Sequence, residues 1–341
     1  MQVVIDVEGY WPMNFRSSVR LIPLLFIFLS VSSYGIVLPG CDIVMGHSAG
    51  SGVHWESAIL TGAEVTTEAE IHRIAGIALA PGPLNTEVQE YLASMGGLRA
   101  IRTNPKLWDI YLRLYDGITP FSPDYQELIQ FADLNLPQSG KIADIGGGTG
   151  PFSAWLLLRA RNREIHTIDM SPAGLALARE KMERVAASLG EPLPSFDIME
   201  LNLLNFTGNE LTGLSGAVMN NVLYNIPLEA QLEAMKKLRA MMLAGATLIV
   251  ADPNGDVVTK ELLEKSAKDV AIGAVKNGST PSDFDIALGI YINVEILRGG
   301  IPPFRPAADL ENLFREAGFK VKKRIVNSFY FGLLTVLVLE A

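Results

Sequence analysis

Residues Lys141 to Gly150 read Lys-Ile-Ala-Asp-Ile-Gly-Gly-Gly-Thr-Gly, a short apolar run that ends in an acid and opens directly onto a glycine loop. Pro151-Phe152-Ser153-Ala154-Trp155-Leu156-Leu157-Leu158 follows and reads as the start of a helix. Strand, glycine turn and helix in this order make the first unit of a nucleotide-binding α/β sheet. Glycine is required because the backbone bends sharply and a ligand lies against the main chain. Gly146, Gly148 and Gly150 are spaced G-x-G-x-G, not the G-x-G-x-x-G that seats a pyrophosphate on a helix N terminus. A tighter turn with Asp144 in front of it suits a cationic ligand without phosphates.

The chain beyond the loop alternates in the same way. Glu164 to Ile168 is a second apolar run that ends at Asp169, about 20 residues past the loop, where a ribose-binding carboxylate belongs. Asp169 as a cap for the next helix is the plainer alternative. Ser171-Pro172 starts a helix that Gly190 stops. A third strand is expected over Ser195 to Leu201, followed by Asn202-Leu203, where a side-chain amide can accept from an adenine amino group and an apolar neighbour can cover the ring. Asn202 as an ordinary turn residue is the competing reading. Gly216 to Asn220 reads as a fourth strand and Leu228 to Met242 as an amphipathic helix. Leu243-Ala244-Gly245-Ala246 then turns into a fifth strand, Thr247 to Ala251. Short connections between alternating elements predict a doubly wound, mostly parallel sheet.

Asp252 to Pro306 interrupts this alternation as a long insertion, with a helix expected over Glu261 to Val275. Ala307 to Ala317 is a helix closed by Gly318. Phe319 to Val326 and Tyr330 to Glu340 read as two closing strands joined at Asn327-Ser328. Before the loop, residues 86–135 are helical in pattern. Thr86 caps a helix ended by Gly96-Gly97, Leu107, Ile110, Tyr111 and Leu114 share one face, and Ser122-Pro123 opens another helix. These helices would cover the cleft, with Tyr115 either facing it or packed in the core.

Residues 1–85 form an atypical N-terminal appendage. Arg16 and Arg20 precede an apolar stretch from Leu21 to Leu38, which reads either as a buried segment or as an anchor giving weak membrane association. Gly46-His47-Ser48-Ala49-Gly50 matches G-x-S-x-G between a strand and a helix and resembles the nucleophile elbow of an α/β-hydrolase. Such enzymes place their acid and histidine after the serine. Here only His54, His72 and His166 follow, and none stands where a triad needs it.

Taken together, Tyr115-Asp116, Ala143-Asp144-Ile145-Gly146-Gly147-Gly148-Thr149-Gly150, Asp169-Met170-Ser171, Asn221-Val222-Leu223-Tyr224-Asn225-Ile226-Pro227, Leu243-Ala244-Gly245-Ala246-Thr247 and Glu316-Ala317-Gly318-Phe319 resemble the class I S-adenosylmethionine-dependent methyltransferases. The small-molecule group typified by ubiquinone and menaquinone biosynthesis is the most similar. The resemblance runs from about Leu107 to Ala341. It implies a seven-stranded sheet closed by a C-terminal antiparallel hairpin, a methyltransferase domain over 136–341, and S-adenosylmethionine as cofactor. Asp144, Gly146, Gly147, Gly148 and Gly150 would hold the methionine part and Asp169 the ribose. Asn202 would face the adenine, and Met170, Leu203 and Asn220 complete the expected cofactor shell. Tyr224 stands where related enzymes often carry histidine, so Tyr115 and Tyr224 are the candidate catalytic side chains. No metal is implied.

A net charge of −9 argues against a nucleic-acid partner, because phosphate neutralisation needs clustered Lys and Arg. The single cysteine, Cys41, excludes an internal disulfide and fits a cytoplasmic location. The apolar content of the insertion points to a largely apolar small-molecule acceptor. A methyltransferase is the leading reading. A serine hydrolase using Ser48 and a catalytically silent cofactor-binding module are the alternatives. The sequence carries no signal for oligomeric state.

Overall fold

The computed structural model describes residues 82–97, 110–112, 115, 123–160, 162–190, 194–207, 210–257, 284, 287–289, 291–292 and 304–341. The apolar segment at 21–38, the Ser48 elbow, Ser122 and the helix expected over 261–275 lie outside the described residues. Among the described residues no helix is long and apolar enough to cross a membrane.

Seven strands form one sheet in the order β3-β2-β1-β4-β5-β7-β6. They are β1 (Gly140–Ile145), β2 (Arg163–Asp169), β3 (Ser195–Glu200), β4 (Leu214–Asn220), β5 (Met242–Pro253), β6 (Lys320–Ser328) and β7 (Leu334–Glu340). The first five are mutually parallel, and β7 runs antiparallel to both β5 and β6. The described helices are α1 (Pro83–Ser94), α2 (Pro123–Asn135), α3 (Pro151–Arg159), α4 (Pro172–Leu189), α5 (Leu228–Met241) and α6 (Ala307–Glu316). The expected doubly wound sheet with its closing hairpin is therefore present. The chain winds outward through β1, β2 and β3, then returns to the other side of β1 with β4. Strand order reverses at that point, and in open α/β sheets a ligand crevice lies beyond the strand ends at such a reversal.

The central strands are buried on both faces, which is why they read as continuous apolar runs. One core layer lies under α5 and α6, where Leu238, Met241, Leu310 and Phe314 meet Ala217, Met219, Leu248 and Leu337. Ser171 caps α4 through its Oγ, which accepts from Gly174 N at 3.1 Å, and Gly190 at φ +69° ends that helix.

Three boundaries differ from expectation. α1 begins at Pro83, not at Thr86, because proline suits the first helical position; the Thr86 hydroxyl instead donates back to the Gly82 carbonyl at 3.2 Å. Leu243 to Ala246 does not separate helix from strand. β5 starts at Met242, and the four residues form a bulge in it, with Gly245 at φ +78° and pairing to β4 resuming at Thr247. β6 runs on to Ser328, and Tyr330–Gly332 is a 3-10 turn ahead of β7, so Tyr330 is not a strand residue.

At the opposite end of the sheet from the crevice, Arg163 opens β2 with only 1% of its surface exposed. Its guanidinium is paired with the Asp133 carboxylate and donates from Nε to the Pro137 carbonyl at 2.7 Å. Asp133 also accepts from Arg159 Nε at 3.2 Å, so this one carboxylate ties α2 to both β2 and α3. Removing it strands a buried cation, which costs about 3–5 kcal/mol. Asp133→Ala should therefore lose stability of that order in urea denaturation. Arg159→Ala, at a partly exposed position, should cost under about 1 kcal/mol.

Candidate active site

The glycine loop sits over the ends of β1 and β2. Gly146 N and Gly147 N both donate to the Ile168 carbonyl, at 2.7 and 3.0 Å. Gly146, Gly148 and Gly150 have φ of +70°, +54° and +79°, which side-chain-bearing residues rarely adopt. Space is equally restrictive: a Cβ on Gly146 would stand 2.3 Å from Val222 Cγ2, and one on Gly150 would stand 2.8 Å from Ala178 Cβ on α4. The loop is thus held between the β4 exit and α4. Buried Lys181 adds a further tie, donating from Nζ to the Thr149 carbonyl at 3.1 Å. Leu112, on a helical segment ahead of α2, lies across the other side, with Cδ2 3.6 Å from a Cβ placed on Gly148.

Two carboxylates bracket this loop. Asp144 turns toward the N terminus of α3, where its Oδ2 accepts from Ser153 N at 3.1 Å and from Ser153 Oγ at 2.7 Å. Thr167 Oγ1 donates to Ser153 Oγ at 2.6 Å and completes the brace. Asp169 accepts from Gly148 N on Oδ2 at 2.9 Å and from Ser171 N on Oδ1 at 2.8 Å. Burial raises the Asp144 carboxyl to about 7; the Ser153 hydroxyl and N–H oppose the rise, and nearby Asp169 adds to it. Asp169 is also raised by burial, against the N–H groups of Ser171, Gly148 and Met170.

Beyond Asp169, Met170 is 52% exposed at the rim. Asn202 Oδ1 accepts from Leu204 N at 2.9 Å, forming a side-chain turn. Leu203, expected beside the ligand, has its side chain in the hydrophobic core with Phe206 and Leu211; Leu204 is the exposed one of the pair.

On the other flank, β4 ends at Asn220, whose Oδ1 is buried with no hydrogen-bond partner among the described residues. The Asn220 side chain hydrogen-bonds the Tyr330 hydroxyl, which lies 3.5 Å from the Tyr115 hydroxyl. Rings continue the cluster: Tyr111 is 6.0 Å from Tyr115, and Tyr125 lies edge-on to Tyr115, Phe152 and Tyr330 at 6.2, 5.8 and 6.0 Å. Burial, and then the neighbouring phenols, push Tyr111 and Tyr330 well above the ordinary phenol range. Tyr224, in the 3-10 turn Leu223–Asn225, packs edge-on against Phe304 at 5.5 Å and is one of the phenols acting on Tyr111.

That turn is clamped from beneath. Gln231 on α5 donates to the carbonyls of Leu223 and Ile226 at 3.0 and 2.9 Å, while its own oxygen accepts from Arg305 Nε. Asp252, near the end of β5, accepts from the N–H groups of Tyr224 and Leu223. Burial raises its carboxyl to about 8, those N–H groups and Arg305 pulling the other way. The return of the insertion at Phe304-Arg305 thereby locks the position of Tyr224.

The structure thus gathers Asp144, Gly146, Gly147, Gly148, Gly150, Asp169, Met170, Asn202, Tyr115, Tyr224 and Asn220 at one edge of the sheet. Ser153, Thr167, Lys181, Tyr330, Gln231, Asp252 and Arg305 were not anticipated. Ser153 carried a faint signal as a polar residue in the first turn of an apolar helix. Tyr330, far along the chain from Tyr115, carried none.

The methyltransferase domain family matches residues 121–323, and the chain belongs to it. It is accordingly an S-adenosylmethionine-dependent methyltransferase by family, as its motifs imply. No curated protein matches it. Among solved structures, the plantazolicin methyltransferase BpumL in complex with SAH is 14% identical over 76% of this chain and 99% of that one, with a TM-score of 0.48. The mitomycin 7-O-methyltransferase MmcR is 13% identical over 84% and 75%, with a TM-score of 0.47. The magnesium protoporphyrin IX methyltransferase of Synechocystis PCC 6803, with bound SAM, is 14% identical over 76% and 98%, at 0.44.

The two carboxyls at about 7 and about 8 set a pH dependence. A carboxyl whose value rises on folding favours the fold when protonated. That contribution is complete below its ordinary value near 4 and is lost as pH rises through the folded value. The ligand-free protein should melt at progressively lower temperature between about pH 5 and pH 9, measured by calorimetry. Asp144→Asn should flatten the part of that fall below pH 8.

Proposed function

We propose that the crevice binds S-adenosylmethionine and that the chain methylates a small, largely apolar molecule. The observation that carries this is the seat of Asp144. In dinucleotide folds the helix after the glycine loop offers its free N–H groups to a pyrophosphate. Here the chain's own carboxylate takes the Ser153 N–H at that terminus, with 2% of Asp144 exposed. An added phosphate would find that N–H already taken by a buried acid, whereas a cationic ligand favours the ionised form of both acids.

Gly146 to Gly150, with Asp144 behind them, would hold the methionine part. Asp169 meets the N–H groups of Gly148, Ser171 and Met170, and a lone-pair direction left over would accept from the ribose. Asn202 Oδ1 keeps one direction for the adenine amino group, and exposed Met170 would cover the ring. When bound, the sulfonium supplies an activated methyl group and leaves as a neutral thioether. The protein's part is then to orient the partners and exclude water. Tyr115 and Tyr224 would do this on the acceptor side. They would act as positioning groups, beside Tyr111 and Tyr330, whose phenols burial raises well above the ordinary range.

Titration calorimetry tests this reading. S-adenosylmethionine and S-adenosylhomocysteine should bind, and NAD should not. Asp169→Ala removes the charge-assisted bonds to the ribose, each worth about 1.5–3 kcal/mol, so affinity should fall at least tenfold. Gly148→Val places a β-branched residue at φ +54° and should weaken binding comparably. Uptake of NAD in place of the sulfonium, or two variants that bind like the parent, would overturn the assignment.

A further inference from the structure

We propose that the methyl acceptor is an amine bearing at least one N–H, methylated on nitrogen, and that Asn220 Oδ1 receives this N–H beside the Tyr115–Tyr330 pair. The inference rests on the S-adenosylmethionine reading and concerns the other half of the same crevice.

Asn220 closes β4, next to β1 at the point where strand order reverses. Its amide bonds the Tyr330 hydroxyl, which orients the side chain and leaves Oδ1 buried without a partner among the described residues. A buried carbonyl oxygen left unpaired costs about 1–3 kcal/mol, so it marks a place for a donor brought by a ligand. The same oxygen repels an anionic acceptor such as a carboxylate or phenolate. An alcohol or un-ionised phenol could donate to it but would need a base to become nucleophilic. Of the phenols beside it, Tyr330, which bonds Asn220, and Tyr111 are kept protonated by burial. Asp252 accepts from the N–H groups of Leu223 and Tyr224, and burial, which raises its carboxyl to about 8, keeps it mostly protonated near neutral pH.

An amine meets each condition. Its N–H satisfies Asn220 while its lone pair stays free to react, so no proton has to be removed first. The lone pair forms the N–C bond as the C–S bond breaks; the electrons of that bond remain on sulfur, and the positive charge moves to nitrogen. The resulting ammonium then gives the amine's own N–H proton to solvent water. Tyr111, Tyr115, Tyr125 and Tyr330 form a run of rings, each within 6.2 Å of the next, that ends at the Tyr330 hydroxyl on Asn220. Aromatic rings favour a nearby cation such as the ammonium that develops.

The test uses the full chain loaded with S-adenosylhomocysteine, whose own binding is measured first by calorimetry. Benzylamine, benzyl alcohol and benzoate, which share one ring, are then titrated at alkaline pH, where part of the amine is neutral. Benzylamine should bind at least about tenfold more tightly than either partner. Asn220→Leu should erase most of that preference. Benzoate or benzyl alcohol binding as well as the amine, none of the three binding the loaded protein, or a preference that survives Asn220→Leu would overturn the proposal. A chain that takes up no S-adenosylhomocysteine would instead remove the reading beneath it, and the proposal with it.

Discussion

The hydrogen bonds between Asp144 and Ser153 hold the crevice in its working form. One carboxylate at the end of β1 accepts both the N–H and the hydroxyl of Ser153, and Thr167 on β2 supports that hydroxyl. The first turn of α3 is thereby fixed to two adjacent strands. Glycine loops of this kind ordinarily leave a helix terminus open to anions. Here the terminus is filled from within, and the field over the loop favours positive charge. Gly147 is part of the same arrangement, since a Cβ there would stand 2.9 Å from Asp144 Oδ2.

The second half of the crevice is assembled from distant parts of the chain. Tyr330 comes from the turn before β7, Tyr125 and Phe152 from the helices flanking the start of the domain, and Asn220 from β4. Tyr125 stands edge-on to both Phe152 and Tyr330, and Asn220 bonds the Tyr330 hydroxyl. The Tyr224 turn is held by Gln231 through carbonyls and by Asp252 through N–H groups. Because Arg305 contacts Gln231, the end of the insertion and the wall of the crevice form one hydrogen-bonded unit.

Much of the cofactor side was legible in the sequence because each residue there follows a strand by a fixed local rule. A strand ends, a glycine or acid follows, and a capped helix begins; Asp144, Asp169 and Ser171 all obey this. The misplaced boundaries have local causes as well. Proline at the first helical position outweighed threonine as a cap at α1. Gly245 at positive φ made a bulge where its sequence suggested a turn, because the chain on both sides pairs with β4. Leu203 follows Asn202 at the strand end, yet its side chain fills the core beneath, where burial of an apolar group is worth more than a place at the rim.

By itself the sequence determined the alternation of strands and helices, the bent glycine loop and the two acids beside it, since periodicity, φ preference and capping act over a few residues. It also settled the family through the order of those motifs. Only the tertiary structure decided that Tyr115 meets Tyr330, that Asn220 Oδ1 is buried with no partner among the described residues, and that Asp252 meets the N–H groups of Leu223 and Tyr224. These contacts join segments up to 215 positions apart, and no local preference encodes them. They follow from which strands lie side by side, and from the burial that then shifts each group's proton affinity.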